Sequence, residues 1–175
     1  LKRDFSYPVS DAFAVFIDPF NDQTNGFSFA VNPLGVQREG LIEQGGVFGV
    51  TTSWDNRWYS KVAQINNGFS VEMAIPFKTI RYNSEIKTWG INFSRNDLQR
   101  NENSSWVPVP RNFNIASMAF TGNLIWDNPP KKAGTNISII PYAIAGASKN
   151  YQSNVNQSTV NACGDAKVEI GRAHV

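Results

Sequence analysis

The clearest pattern in the sequence is Phe27-Ser28-Phe29-Ala30-Val31, in which large apolar residues alternate with small or polar ones. A period of two residues places successive side chains on opposite faces and predicts a half-buried β-strand. The turn-forming residues Asn32-Pro33-Leu34-Gly35 follow directly. The stretch therefore predicts one strand of a sheet that has an apolar face.

Two further stretches, Phe69–Ile75 and Trp89–Ser94, have apolar residues at every second position. Pro76 ends the first of these strands or places it at a sheet edge. Phe13–Ile17 is a shorter apolar run that stops at Asp18-Pro19, and we interpret it as a buried strand. No segment of a dozen residues has a 3.6-residue period. Short strands separated by Gly, Asn and Pro predict an all-β fold, an antiparallel β-sandwich.

The composition excludes several classes of protein. The 175 residues suffice for one domain of ordinary size, and 41% hydrophobic residues argue against disorder. The net charge of +2 is small and the basic residues are scattered, so we predict no nucleic-acid partner. Because Cys163 is the single cysteine and His174 the single histidine, we predict no disulfide, no zinc cluster and no histidine-dependent triad.

The composition changes after Pro129–Gly134, which we interpret as a linker. Ile137–Ala147 is apolar with few charges and about as long as a tilted strand of a membrane barrel. By periodicity alone, an ordinary soluble hairpin is the favoured alternative. Lys149–Asn161 is rich in Asn, Gln and Ser and predicts an exposed loop, and Asp165–Val168 predicts the start of a returning strand.

Both ends of the chain are interpreted as cuts. The chain starts at Leu1 without a basic and apolar signal segment. Residues 169–175 match one translation of a sequencing-adapter oligonucleotide, and we interpret them as an artefact outside the fold. The alternative is a natural, frayed tail.

Six blocks of sequence follow one another in an order typical of one family. They are Asp18–Asp22, Phe29–Gln37, Trp54-Asp55 with Trp58, Val71–Phe77 with Ile80-Arg81-Tyr82, Trp89–Arg95, and Trp106-Val107-Pro108. Over about residues 11–127, the series resembles the family 9 carbohydrate-binding-like domain at the front of bacterial outer-membrane barrel proteins of unknown-function family 5916. Pro141-Tyr142 and Gly164–Lys167 resemble the first part of that barrel.

This resemblance implies a jelly-roll-like sandwich over residues 1–128, with its N-terminal strands missing. It implies that residues 129–168 are a linker and the start of an outer-membrane β-barrel. The implied function is a non-catalytic module that binds a glycan. The implied location is the bacterial outer membrane or cell surface, with a signal peptide in the missing N-terminal part.

The candidate binding residues combine aromatic platforms with polar groups, because sugars present both apolar C–H faces and hydroxyls. Trp54 and Trp58 flank Asp55 on a predicted loop, whereas Trp89 is predicted to be core. The alternatives are that the tryptophans cover the core and that the Glu and Arg residues form structural ion pairs. The predicted glycan-binding residues are Trp54, Trp58, Glu72, Arg81, Asn92, Arg95 and Trp106.

Asp18, Asn21 and Asp22 offer oxygen ligands that suit calcium. The EF-hand spacing and its closing Glu are missing, so a turn-and-cap role is the favoured alternative. Glycoside hydrolysis needs two acids about 5 to 9 Å apart, and the sequence does not place Asp55 and Glu72 in that way. We therefore predict no catalytic residue and no cofactor.

Three functions stay open: a carbohydrate-binding sandwich, a plug, lid or docking module of the barrel without a sugar site, and an accessory domain of a glycoside hydrolase. The first predicts an exposed tryptophan beside Glu72, Arg81 or Asn92. The second predicts that all five tryptophans are packed. The third requires a catalytic domain where we predict the barrel.

Overall fold

The computed structural model describes residues 3–132, 136–150 and 155–169. The chain divides into two units, Leu1–Lys132 and Ala133–Val175. The predicted linker lies partly outside the described residues, as does the predicted adapter-derived end beyond Glu169. In the described part of the chain, no helix has the length and apolar character needed to cross a membrane.

The first unit is built from nine strands. They are β1 (Ala12–Asp18), β2 (Gly26–Val31), β3 (Gln37–Ile42), β4 (Val50–Thr51), β5 (Tyr59–Ile65), β6 (Gly68–Ala74), β7 (Thr88–Asp97), β8 (Glu102–Ser105) and β9 (Gly122–Ile125). Seven of them form one sheet in the order β4-β3-β2-β1-β7-β8, with β9 also paired to β7, and β5 and β6 form a separate hairpin. The strands pair in antiparallel fashion, which confirms the predicted all-β class and is consistent with a β-sandwich.

The strands predicted from the alternating pattern, and the buried strand predicted from the apolar run Phe13–Ile17, are confirmed. Phe27–Val31 lies within β2, Trp89–Ser94 lies within β7, and Phe13–Ile17 lies within β1. Phe69–Ile75 corresponds to β6, which ends one residue earlier, at Ala74. Pro76 lies just beyond this strand, where its missing N–H interrupts no ladder.

One face of the seven-stranded sheet, here called the core face, carries large apolar side chains. Phe29 and Trp89 are almost fully buried there. The β5–β6 hairpin packs against this face through Val62, Val71 and Met73. Removing a large apolar side chain from water stabilises the fold by about 1.5–3 kcal/mol, so this layer provides the main core of the unit.

The second unit is an antiparallel hairpin of β10 (Asn136–Asn150) and β11 (Val155–Glu169). The loop predicted over Lys149–Asn161 is wrong at both ends, because β10 runs to Asn150 and β11 begins at Val155. The returning strand therefore starts before Asp165, where the sequence predicts its start. Asn, Gln and Ser disfavour strands by themselves. Here the hydrogen-bond ladder with β10 holds these polar residues in a strand, and the β-branched Thr159 and Val160 favour the same conformation.

Candidate functional site

The opposite face of the seven-stranded sheet, here called the cleft face, carries small side chains along its centre. The strand register aligns Ala14 with Ala30 on one side and with Ser94 on the other. It also aligns Ser28 with Gly40. These small side chains leave space above the centre of the face, while Phe16, Ile42 and Met118 form a second, smaller buried apolar cluster on the same face.

A cleft of about 580 Å³ opens above these residues. This volume lies within the range of about 300–1,000 Å³ that small-molecule sites occupy. Ala14, Phe16 and Ser28 form the floor. The walls are formed by Tyr7, Pro8, Arg38, Phe48, Gly49, Val50, Asn96, Asn103, Val109, Pro110, Arg111, Phe113, Asn114, Ile115 and Ala116.

Hydrogen bonds to β7 hold one wall in place. The Nδ2 of Asn96 donates to the backbone oxygens of Tyr7 and Ser10, at 2.9 Å each. The Tyr7 hydroxyl lies 2.7 Å from the Ser94 Oγ. Because both ends of the Tyr7 residue are bonded to the sheet, its ring has a fixed position at the cleft.

The facing wall is a glycine-rich turn that packs closely against a second loop. The Met118 N–H donates to the Gly45 oxygen at 3.0 Å. Gly46 has a φ of +81°, and a Cβ at this position would lie 2.4 Å from the Ala116 oxygen. Only glycine permits so close an approach. The turn thereby presents Phe48, which is 84% exposed, at the lip of the cleft.

The charges that line the cleft are positive. Arg38 and Arg111 line it, and no aspartate or glutamate does so among the residues that the structure describes. Burial lowers the pKa of Arg38, but a guanidinium stays protonated in proteins. Burial likewise raises the pKa of Tyr7, which keeps its phenol neutral. The cleft therefore combines aromatic rings, amides and two cations.

The predicted tryptophan pair lies on the core face. Trp58 is 3% exposed, and its Nε1 donates to the Glu39 Oε2 at 3.0 Å. Trp54 is half-buried, with its ring centroid 5.2 Å from that of Phe27 and 6.0 Å from that of Phe29. Both indoles thus pack in the layer between the sheet and the β5–β6 hairpin, away from the cleft.

The predicted polar residues do not form one surface. Asn92 is 1% exposed, and its side chain exchanges hydrogen bonds of 2.9 and 3.1 Å with the backbone of Val107. Arg95 lies three residues along the same strand, hence on the opposite face, and pairs with Asp97 at 2.9 Å. Glu72 and Arg81 are exposed, Glu72 on β6 and Arg81 on the loop after it.

Trp106 is the exposed tryptophan, at 58%. Its ring meets Phe93 edge-on, with centroids 5.7 Å apart, at the margin of the core face. Its neighbour Val107 is the residue that bonds Asn92. The exposed Trp106 is therefore adjacent in the chain to Val107, which bonds the predicted glycan-binding residue Asn92. The Asn92 side chain itself is buried and does not face solvent.

The carboxylates of Asp18 and Asp22 cap a turn. Asp18 accepts hydrogen bonds from the backbone N–H groups of Phe20 and Gln23, at 3.1 and 2.8 Å. Asp22 accepts from the backbone N–H of Thr24 at 2.8 Å. Burial raises the pKa of Asp18. Over residues 3–132, 136–150 and 155–169, no group of three or more His, Cys, Asp or Glu side chains could hold a metal ion.

Sequence reasoning missed the residues that line the cleft, above all Tyr7, Arg38, Phe48 and Arg111. They come from distant segments that only the strand order brings together. One local signal was available in Gly45–Gly49, where an apolar pair lies within a glycine-rich turn. The structure leaves both residues of this pair exposed, Val47 at 70% and Phe48 at 84%.

Comparison with known proteins agrees with this architecture. The family model described as "Carbohydrate family 9 binding domain-like" matches residues 6–132, which contain the whole cleft. No curated protein and no solved structure gives a significant match. The chain belongs to the carbohydrate family 9 binding domain-like family.

Proposed function

We propose that the first unit binds a carbohydrate, without catalysis, in the cleft of about 580 Å³ on the cleft face. The observation that carries this proposal is the lining of the cleft. Tyr7, Phe48 and Phe113 offer rings to the apolar faces of a sugar. Asn103 and Asn114 offer amides to its hydroxyls.

The test is a glycan array followed by titration calorimetry on the full chain and two variants. Phe48→Ser removes an aromatic group from the lip of the cleft. Trp106→Ala is the matched control, because it removes an exposed aromatic group at the margin of the core face. We expect Phe48→Ser to weaken glycan binding at least tenfold and Trp106→Ala to leave it unchanged.

The opposite pattern would place the sugar at Trp106, as the sequence predicts, and would contradict the cleft. The absence of binding to any glycan by the folded chain would overturn carbohydrate binding. It would favour the alternative of a plug, lid or docking module.

For the second unit, we propose that it begins an outer-membrane barrel of which the first unit is the glycan-binding module. Support comes from the length of β10 and β11. Each has 15 residues, which exceeds the roughly 9–11 residues that a strand needs to cross a membrane. The register also pairs Ala143 with Ala162 and Ala145 with Val160, whereas the alternating position pairs Ile144 with Asn161. Such alternation of apolar and more polar pairs suits a strand pair between lipid and water.

This second proposal is tested by flotation of the full chain with phosphatidylcholine vesicles. Ala145→Glu changes an apolar pair, and Asn161→Glu, at the alternating position, is its matched control. We expect Ala145→Glu to abolish flotation and Asn161→Glu to retain it. Equal loss of flotation in both variants, or equal flotation of both, would contradict the proposal.

A further inference from the structure

The two arginines of the cleft narrow the class of sugar that it takes. Arg38 projects from β3 at a position whose strand neighbour is Ala30, and it is half-buried. Arg111 reaches the cleft from the opposite loop and is exposed. Two cations from separate segments thus meet one cavity.

Neither guanidinium is used by the protein itself. Within residues 3–132, 136–150 and 155–169, the side chains of Arg38 and Arg111 make no hydrogen bond or ion pair, in contrast to Arg3, Arg95 and Arg100. Asp4 acts on Arg38 only from a distance, because no ion pair joins them. Partial burial of a charge without a partner is unfavourable, so Arg38 has donors available to a ligand.

The rest of the lining specifies a polyhydroxylated anion rather than a free inorganic ion. A small anion would use the guanidinium groups and leave the rings of Tyr7, Phe48 and Phe113 without contacts. A sugar ring fills the part of the cavity beside these aromatic rings. The Asn103 amide lies in the same cavity and can bond the hydroxyls of the sugar. A planar carboxylate matches the fork of a guanidinium in a bidentate pair.

We propose that the cleft binds an acidic saccharide, with the carboxylate of a uronic acid residue against Arg38 and Arg111. This inference rests on the proposed function, since it names the class of sugar for the same cleft. The aromatic rings and amides provide affinity for the sugar ring. The arginines make the cleft prefer a charged sugar over a neutral one.

The experiment compares three probes by titration calorimetry on the full chain: trigalacturonic acid, its fully methyl-esterified form, and galactose 6-sulfate. The ester has the same sugar skeleton without the charge. We expect the acid to bind about 10- to 100-fold more tightly than the ester, as expected for hydrogen bonds between charged groups. We also expect the affinity for the acid to fall as salt is added.

The variants are Arg38→Gln and Arg111→Gln, with Arg57→Gln as the matched control. Arg57 is exposed and lies outside the cleft. We expect each cleft variant to weaken binding of the acid about tenfold or more, with no change for the ester, and Arg57→Gln to have no effect. Arg111 is exposed, so its variant keeps the test valid if Arg38→Gln does not fold.

The outcomes separate this inference from the function on which it rests. Equal affinity for acid and ester would overturn the acidic class and leave carbohydrate binding standing. Binding of the sulfate without the uronate would also overturn it. If neither these probes nor any glycan of the array binds, carbohydrate binding itself fails, and the inference fails with it.

Discussion

The two faces of the seven-stranded sheet share the same strands but have opposite packing. On the core face, Phe29 and Trp89 are almost fully buried and covered by the β5–β6 hairpin. On the cleft face, Ala14 and Ser28 underlie a cavity of about 580 Å³. Since neighbouring residues of one strand point to opposite sides, a strand such as β2 serves both purposes at once. Large residues build the main core on one side, and on the other side small residues leave room for a ligand beside a smaller apolar cluster of Phe16, Ile42 and Met118.

The largest difference in stability is expected when neighbouring residues on the two faces are truncated. Phe29→Ala removes a fully buried ring, and we expect a loss of about 3–5 kcal/mol in the free energy of unfolding. Ser28→Ala removes one oxygen from the cleft floor, and we expect less than about 1 kcal/mol. Urea titration followed by tryptophan fluorescence measures both values. All five tryptophans lie in the first unit, so the signal reports that unit.

Similar losses in these two variants would contradict the division of roles between the faces. A large loss in Ser28→Ala alone would mean that the cleft face carries the core. The control must therefore be measured under the same conditions as Phe29→Ala.

The wall of the cleft gives the second test, in the variants Gly46→Ala and Gly35→Ala. Both glycines have a positive φ, +81° and +77°, so both variants lose about 1–2 kcal/mol to backbone strain. At Gly46 the new Cβ also meets the Ala116 oxygen, whereas at Gly35 it meets nothing within 4 Å. We expect Gly46→Ala to lose at least about 1 kcal/mol more in urea titration. Equal losses would show that the two loops are not packed closely.

The core face contains a buried acid, Glu39, which gives a third test through pH. Burial raises its pKa above the ordinary 4.5, although Trp58 and Arg3 donate hydrogen bonds to it. A pKa that is higher in the folded state contributes stability below the unfolded pKa, and this stability is lost as pH rises through the folded pKa. We expect the unfolding free energy of the native chain, minus that of Glu39→Gln, to fall as pH rises from about 4.

The difference between the two proteins is the quantity to measure, by urea titration at several pH values. Asp18 also has a pKa raised by burial, but it is present in both proteins and cancels. A difference that rises with pH would mean that the pairing with Arg3 outweighs the burial of the carboxylate.

The sequence predicts the strands well because their signal is local. The alternation in Phe27–Val31 is sufficient to identify β2 and its apolar side. The sequence predicts an open loop for Trp58, because no local pattern shows that Glu39, 19 residues earlier, accepts its indole N–H. Likewise Asn92 occupies a polar position of its strand but is buried by the segment that carries Val107. The cleft depends on such distant contacts, so the sequence predicts the family and the sheet but not the cleft walls.

The smallest expected loss of stability concerns the wall of the cleft that contains Tyr7. The variant Tyr7→Phe tests how this wall is held to the sheet. The variant keeps the ring but loses the contact of the hydroxyl with the Ser94 Oγ. We expect a loss of about 0.5–1.5 kcal/mol in urea titration. Tyr59→Phe removes an exposed hydroxyl on β5 and is the matched control, with no measurable loss expected. If the two variants behave alike, the Tyr7 hydroxyl does not anchor the wall. If Tyr7→Phe alone is destabilised, the hydroxyl contact with Ser94 anchors the wall of the cleft, in addition to the apolar packing of Tyr7 against the cleft face.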